Sequence, residues 1–181
     1  MIKVIAFDFV GVLVNEKNIK LTKDEECLEK IFGPNLNDFD YLENARKIIK
    51  KDSMIINFTE NIIDKLYKVK DKDVFEKVKK INGNVKVIIA TNHVSYIKKF
   101  INKYLNINYL DDLIISAEIN KIKPNLDFYE YILNKYNIDP KELLFLDDNA
   151  NNVHSAKQLG INTIKVEKNM NLISEIMKFL Q

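Results

Sequence analysis

The sequence predicts an α/β fold: a doubly wound, five-stranded parallel sheet of Rossmann-like form, interrupted after its first strand by an inserted helical subdomain. Three observations lead there. Five short apolar runs, rich in β-branched and aromatic residues, are nearly continuous rather than alternating, the pattern of strands buried on both faces. Amphipathic segments of helix length lie between the later runs, and such alternation builds parallel sheets. The interval from 15 to 82 holds no strand-like run and is far longer than an ordinary crossover.

The first strand is Val4-Ile5-Ala6-Phe7. In the inserted interval, Thr22 and Glu25 form a capping box, and the helix they open is expected to stop at Gly33-Pro34. Further helices fit Phe39 to Lys50, Glu60 to Lys68 and Val74 to Ile81. The second strand, Val85 to Ala90, leads to a helix over Tyr96 to Leu105, where Ile97, Phe100, Ile101, Tyr104 and Leu105 recur at helical spacing. Leu113 to Ile115 is the third strand. Pro124 suits the head of the helix over Leu126 to Tyr136. Leu143 to Leu146 is the fourth strand, and the helix from Asn151 to Leu159 ends at Gly160, a C′ glycine. Thr163 to Val166 is the fifth, and Met170 to Leu180 closes the chain as a helix. The α/β core is thus 1–14 with 83–181, and the insert is 15–82.

Composition excludes several functions. Among 181 residues, 28 Lys and Arg face 26 Asp and Glu, a net charge of +2, which speaks against a strongly basic nucleic-acid binder. A single cysteine, Cys27, excludes an internal disulfide framework and a zinc site of several thiolates. Two histidines, His93 and His154, leave no multi-histidine metal site. Asp8 interrupts the apolar N-terminal run and no small-residue cleavage site follows, unlike a secretory signal. No segment approaches the ~18 apolar residues of a membrane span. The expected location is cytoplasmic, without nucleic-acid or membrane partners. Oligomeric state leaves no mark on the sequence. The Lys-rich stretch from Lys65 to Lys80 reads as the solvated face of two helices, with anion binding as the alternative.

Open α/β sheets bind ligands beyond the carboxyl ends of their strands, where strand order reverses. The first strand runs into Asp8 and the second into Thr91-Asn92. Lys123-Pro124 follows the third, and the fourth ends in Asp147-Asp148. Taken singly, each has an ordinary explanation: a turn Asp, a helix cap, a surface lysine, a capped helix with favourable dipole interactions. Together they bring acids, a hydroxyl and a lysine to one edge in a fixed order.

That order resembles the haloacid dehalogenase superfamily of phosphotransfer hydrolases. Its first motif is matched by Ile5-Ala6-Phe7-Asp8-Phe9-Val10-Gly11-Val12-Leu13, and its second by Val87-Ile88-Ile89-Ala90-Thr91-Asn92. The third is matched by Ile122-Lys123-Pro124 with Phe128-Tyr129 after it, and the fourth by Leu144 to Val153. The helical insert resembles the small cap this superfamily carries between its first two motifs. The resemblance implies a Mg²⁺-dependent hydrolase of a small phosphorylated metabolite. Asp8 would be the nucleophile, forming an aspartyl-phosphate. Asp8, Asp148 and the backbone carbonyl of Val10 would hold Mg²⁺, with Asp147 direct or through water. Thr91, the Asn92 backbone N–H and Lys123 would bind the phosphate, and Lys123 would also reach Asp8. Asn152, one helical turn past Asp148, would orient it, or else face solvent.

The departure is Val10. Many phosphatases of the superfamily place a second Asp there to protonate the leaving group, and Val cannot transfer a proton. Three readings stay open. One is hydrolysis of esters with good leaving groups, or with an acid borrowed from elsewhere. Another is cleavage of carbon–halogen or carbon–phosphorus bonds. The third is a non-catalytic protein binding phosphoryl ligands or a partner. The adjacent Asp147-Asp148 pair favours the first, because without a cation two neighbouring carboxylates repel.

Overall fold

The computed structural model describes residues 1–33 and 37–180. In chain order the elements are β1 (Val4–Phe7), β2 (Val14–Glu16), α1 (Lys23–Glu29), α2 (Asp38–Ala45), α3 (Asp52–Leu66), β3 (Tyr67–Val69), α4 (Val74–Ile81) and β4 (Lys86–Thr91). There follow α5 (Ile97–Tyr104), β5 (Asp112–Ile115), α6 (Ser116–Ile119), α7 (Leu126–Tyr136), β6 (Leu143–Asp147), α8 (Ala150–Gln158), β7 (Asn162–Lys165) and α9 (Leu172–Leu180).

Five strands form one parallel sheet in the order β5-β4-β1-β6-β7. Phe7 is level with Ile89 on one side and Leu146 on the other. Each strand is covered on both faces because its side chains alternate between two apolar layers. Ile5 and Phe7 join Val87, Ile89, Phe75, Ile97 and Ile176 on one side. Val4 and Ala6 join Ile88, Phe145, Phe128 and Ile132 on the other. β1 is buried along its whole length, which places the residue that follows it, Asp8, at the centre of the carboxyl edge.

Within the interval 15–82, the capping box forms: Thr22 Oγ1 accepts from Glu25 N, and the Glu25 carboxylate accepts from Thr22 N. α1 ends at Glu29, short of Gly33, and the expected stop at Pro34 lies outside the described residues. The two middle helices are divided differently from the sequence expectation. α2 stops at Ala45, Arg46 pairs with Asp52 at 2.7 Å, and α3 begins there, well before Glu60. Ile55, Thr59, Ile62, Ile63 and Leu66 bury one continuous stripe of α3, and the polar Thr59 in its middle had concealed the helical period. Thr59 is satisfied by donating to the Ile55 carbonyl at 2.8 Å.

The interval is also not wholly helical. β2 and β3 form an antiparallel ribbon, with Val14 opposite Val69 and Glu16 opposite Tyr67. Each strand is three residues long and half polar, too short and too hydrophilic for periodicity to reveal. α4 packs on the sheet itself: Phe75 meets Phe7 edge-on at 5.9 Å.

Candidate active site

The strand ends converge as topology requires. The Asp8 N–H donates to the Leu146 carbonyl at 2.8 Å, tying Asp8 to the β6 end. Lys123 Nζ lies 2.8 Å from Asp8 Oδ1 and 2.8 Å from Asp147 Oδ2. Lys123 and Asp147 are buried, and Asp8 nearly so. Two hydrogen bonds hold the lysine's backbone: Lys123 N donates to Asn92 Oδ1 at 2.9 Å, and Asn92 Nδ2 donates to the Lys123 carbonyl at 2.8 Å. Its ammonium sits 5.3 Å from the Phe145 ring centre, so the aliphatic stem is packed and the charge points at the carboxylates. Thr91 ends β4, the strand next to β1, and is buried.

Asp147 uses both oxygens within the protein. Oδ1 accepts from Asn149 N at 2.8 Å, and Oδ2 accepts from Asn152 Nδ2 at 2.9 Å as well as from Lys123. Asn152 therefore orients Asp147, not Asp148 as its spacing had suggested. It is buried rather than solvent-facing, and its carbonyl accepts from the Tyr129 hydroxyl at 2.9 Å. Asp148 remains exposed. One oxygen from each of Asp8, Asp147 and Asp148 can be chosen so that all lie within 4.8 Å of one another.

Three carboxylates around one ammonium leave an excess of negative charge. Burial raises the Asp8 pKa to about 6; Lys123 opposes the rise and Asp147 adds to it. Asp148 is raised by burial and by Asp147. Burial works against the Lys123 charge, but Asp8 and Asp147 outweigh it and hold the lysine above its usual range. A bound divalent cation would relieve this repulsion. The cluster consists of hard oxygen donors, which suits Mg²⁺.

Gly11 makes room for the cluster. It sits at φ +80°, and a Cβ there would overlap the Asp148 carboxylate. Val10, half-buried, precedes it and bridges to Val14. The ribbon brings in a residue that sequence reasoning did not single out. Lys70 N donates to the Leu13 carbonyl at 3.0 Å, and Lys70 Nζ donates to the Gly11 carbonyl. Desolvation lowers the Lys70 pKa while Asp148 opposes that fall. Nothing local marked Lys70 among the lysines from 65 to 80, because its placement depends on β2 pairing with β3 across α1, α2 and α3.

His93 follows Asn92 in the chain. It is buried between the Phe32 ring at 5.3 Å and Tyr67, whose hydroxyl meets its Nε2 at 3.2 Å. Beside it, Asp38 accepts from Ser95 N at 2.9 Å and from the Ser95 hydroxyl, which binds α2 to the loop after β4. Burial depresses the His93 pKa from 6.5 to about 4. In the unfolded chain the ring protonates near 6.5, while in the fold it stays neutral until about 4. This stabilisation is complete above pH 6.5 and is lost as pH falls toward 4, by about 3 kcal/mol in all. Chemical denaturation between pH 7 and 4 should show that loss, and His93→Gln should remove that part of the slope. An unchanged slope in the variant would show that His93 does not titrate as its burial implies.

Comparison with known proteins agrees with the geometry. A profile of the haloacid dehalogenase-like hydrolases matches residues 5–166. A D-ribitol-5-phosphate phosphatase of Bacteroides thetaiotaomicron is 29% identical over 73 residues, 40% of this chain and 35% of that protein. A bifunctional epoxide hydrolase 2 of Rattus norvegicus is 33% identical over 70 residues, 39% of this chain and 13% of that protein. The matches thus span about a third or less of these curated relatives. Among solved structures, a predicted hydrolase of the same type from Porphyromonas gingivalis superposes with a TM-score of 0.75 at 21% identity, covering 100% of this chain and 98% of that one. A family enzyme of Bacteroides thetaiotaomicron in complex with magnesium and inorganic phosphate superposes with a TM-score of 0.70 at 20% identity, covering 95% and 98%. Among the described residues, no helix is long and apolar enough to cross a membrane. With a family profile that runs from β1 to the residue after β7, the chain belongs to the haloacid dehalogenase-like hydrolases.

Proposed function

We propose that the protein is a Mg²⁺-dependent phosphatase of small phosphate monoesters that works through an aspartyl-phosphate on Asp8. The observation that carries this reading is Lys123, buried and held 2.8 Å from both Asp8 and Asp147. A carboxylate attacking a phosphate faces charge repulsion, and a fixed ammonium beside the attacking oxygen offsets it. Asp8, Asp148 and the Val10 carbonyl would hold the cation, with Asp147 beside them, and Mg²⁺ there supplies further charge neutralisation. Asp147, with both oxygens engaged, chiefly positions Lys123. Thr91, the Asn92 N–H and Lys123 bind the phosphoryl oxygens.

In the first step an Asp8 oxygen bonds to phosphorus as the bond to the ester oxygen breaks, and the departing oxygen takes a proton from solvent. In the second, water attacks phosphorus, restoring the Asp8 carboxylate and releasing phosphate. Of the segment 15–82, the part before α4 would act as the cap that screens this edge from water, while α4 packs on the sheet. Metal-dependent release of phosphate from an aryl phosphate, abolished by chelation, tests the reading. Tight binding of inorganic phosphate with no turnover of any ester would favour the non-catalytic alternative.

Val10 sets the reactivity. Without a side-chain acid, the rate should fall steeply as the leaving group becomes more basic, so aryl and acyl phosphates should be hydrolysed far faster than alkyl ones. Val10→Asp is expected to raise alkyl phosphate turnover by about 10- to 100-fold and aryl turnover by less. A flat dependence on leaving group, unaltered by the substitution, would show that another group supplies the proton. Gly11→Ala should lose about 1–2 kcal/mol of stability from its left-handed backbone. It should also weaken Mg²⁺ binding by tenfold or more, at about 1.4 kcal/mol per decade, because the new methyl displaces Asp148. Calorimetry of Mg²⁺ binding, with thermal unfolding alongside, checks both effects.

A further inference from the structure

The residues of the acidic cluster differ in exposure. Thr91, Lys123 and Asp147 are buried. Asp148 is the exposed member of the cluster, on the side toward Lys70 and β7. A groove of about 460 Å³ lies on that side, between the β2–β3 ribbon and the segment joining β7 to α9. Two contacts fasten it to the reaction centre. The Lys70 ammonium in its wall holds the Gly11 carbonyl, and Val166 in its wall donates its N–H to the Asp147 carbonyl at 2.9 Å.

The groove wall is apolar in part, through Val69, Val74, Val166, Met170, Leu172 and Ile173, and its polar part is cationic and amide-rich. Lys68, Lys70 and Lys168 line it together with Asn15, Asn169 and Asn171. Among the described residues, none of these three lysines has a carboxylate at ion-pair distance. Other lysines of the same stretch are neutralised: Lys65 by Glu25, Lys77 by Asp71, Lys79 by Asp111 and Lys80 by Glu76. The one acid in the wall, Asp71, is engaged by Lys77 at 2.6 Å. Three uncompensated ammonium groups in a concave surface favour an anionic occupant, and asparagine amides suit hydroxyls or carboxylate oxygens.

Resting on the phosphatase reading, we propose that this groove is the leaving-group subsite and that it selects phosphate esters whose far end carries a second anion, a carboxylate or a second phosphate. Its volume suits a chain of five or six carbons, and general pockets for small ligands begin at roughly 300 Å³. Lys70 joins the groove wall to the Gly11 carbonyl, and Lys168 lies in the segment between β7 and α9. Both are specificity residues, outside the reacting atoms.

The test uses full-length Asp8→Asn protein with Mg²⁺ and three ligands of equal carbon number: an alditol monophosphate, an aldonic acid phosphate and an alditol bisphosphate. Isothermal calorimetry should show the acid or the bisphosphate binding at least about tenfold more tightly than the monophosphate. Whichever of the two binds more tightly identifies the second anion. In Lys70→Met/Lys168→Met on the same background, the preference should shrink to within about threefold. In Lys141→Met, which alters an exposed lysine on the amino side of β6, it should persist. Equal binding of all three ligands, or an undiminished preference in the double variant, would overturn the subsite. Failure of the phosphatase reading is separate: it would appear as absence of turnover of every ester by the wild-type protein, whatever the calorimetry shows.

Discussion

Asp8→Asn is expected to abolish phosphate ester turnover, by about 10⁴-fold or more, while the protein stays folded. The size follows from the role: loss of a covalent nucleophile removes the reaction path rather than tuning it. An amide in place of the carboxylate keeps the shape, the Asp8 N–H bond to Leu146 and an oxygen or nitrogen facing Lys123. It also removes one of two carboxylates sharing that lysine, so the fold should be no less stable at neutral pH. Steady-state hydrolysis of an aryl phosphate with Mg²⁺, compared with thermal unfolding, measures both. Rapid quenching of the wild-type protein with a labelled ester should trap phosphate on Asp8, and the variant should trap none. Residual activity within a few fold of wild type would remove Asp8 from the nucleophile's role.

Lys123→Met should have the largest combined effect. Methionine fills the packed channel beside Phe128 and Phe145, so the change removes charge more than volume. Asp8 and Asp147 then face each other without their shared cation. Breaking a buried ion pair by deleting one partner costs about 3–5 kcal/mol, and turnover should fall by about 10³-fold or more with the loss of a fixed charge at the phosphate. The pH dependence identifies the cause. Without Lys123, a carboxylate ionises at higher pH in the fold than in the unfolded chain. The fold then binds more protons, and the variant must lose further stability as pH rises through the raised value. Urea denaturation at pH 5 and pH 8 should show the larger deficit at pH 8. Adding Asp147→Asn should recover much of the stability without recovering activity. A deficit that ignores pH, or no rescue, would mean that Lys123 acts through packing alone.

The sheet was legible because its information is local. Val4 to Phe7 reads as a doubly buried strand from four consecutive residues, and the structure assigns a strand there. The groups expected at the carboxyl edge come together because β1 lies between β4 and β6, so that Asp8, Thr91 and Asp147 belong to neighbouring strand ends. Thr22 with Glu25, and the left-handed Gly160, were likewise readable as a helix start and a helix end. These signals lie within one turn of helix or one strand, where side-chain period and backbone preference act directly.

Partner choice at longer range was not legible. Asn152 has the spacing to reach either acid of the pair, and the packing of α8 against β6 turned it to Asp147. The staple between Asn92 and Lys123 joins two loops with no common pattern. The ribbon of β2 and β3 needs Val14 and Val69 to meet, and no periodicity records a pairing between residues so far apart in the chain. Lys70 reaches Gly11 only through that pairing. Thus the sequence by itself determined the layered fold and the chemical groups at its carboxyl edge, since both follow from short-range hydrophobic and conformational rules. Which of those groups hydrogen-bond, which stay open to solvent and which lysines face the cluster were decided by tertiary packing, which alone brings distant segments within the 3 Å or so at which a hydrogen bond forms.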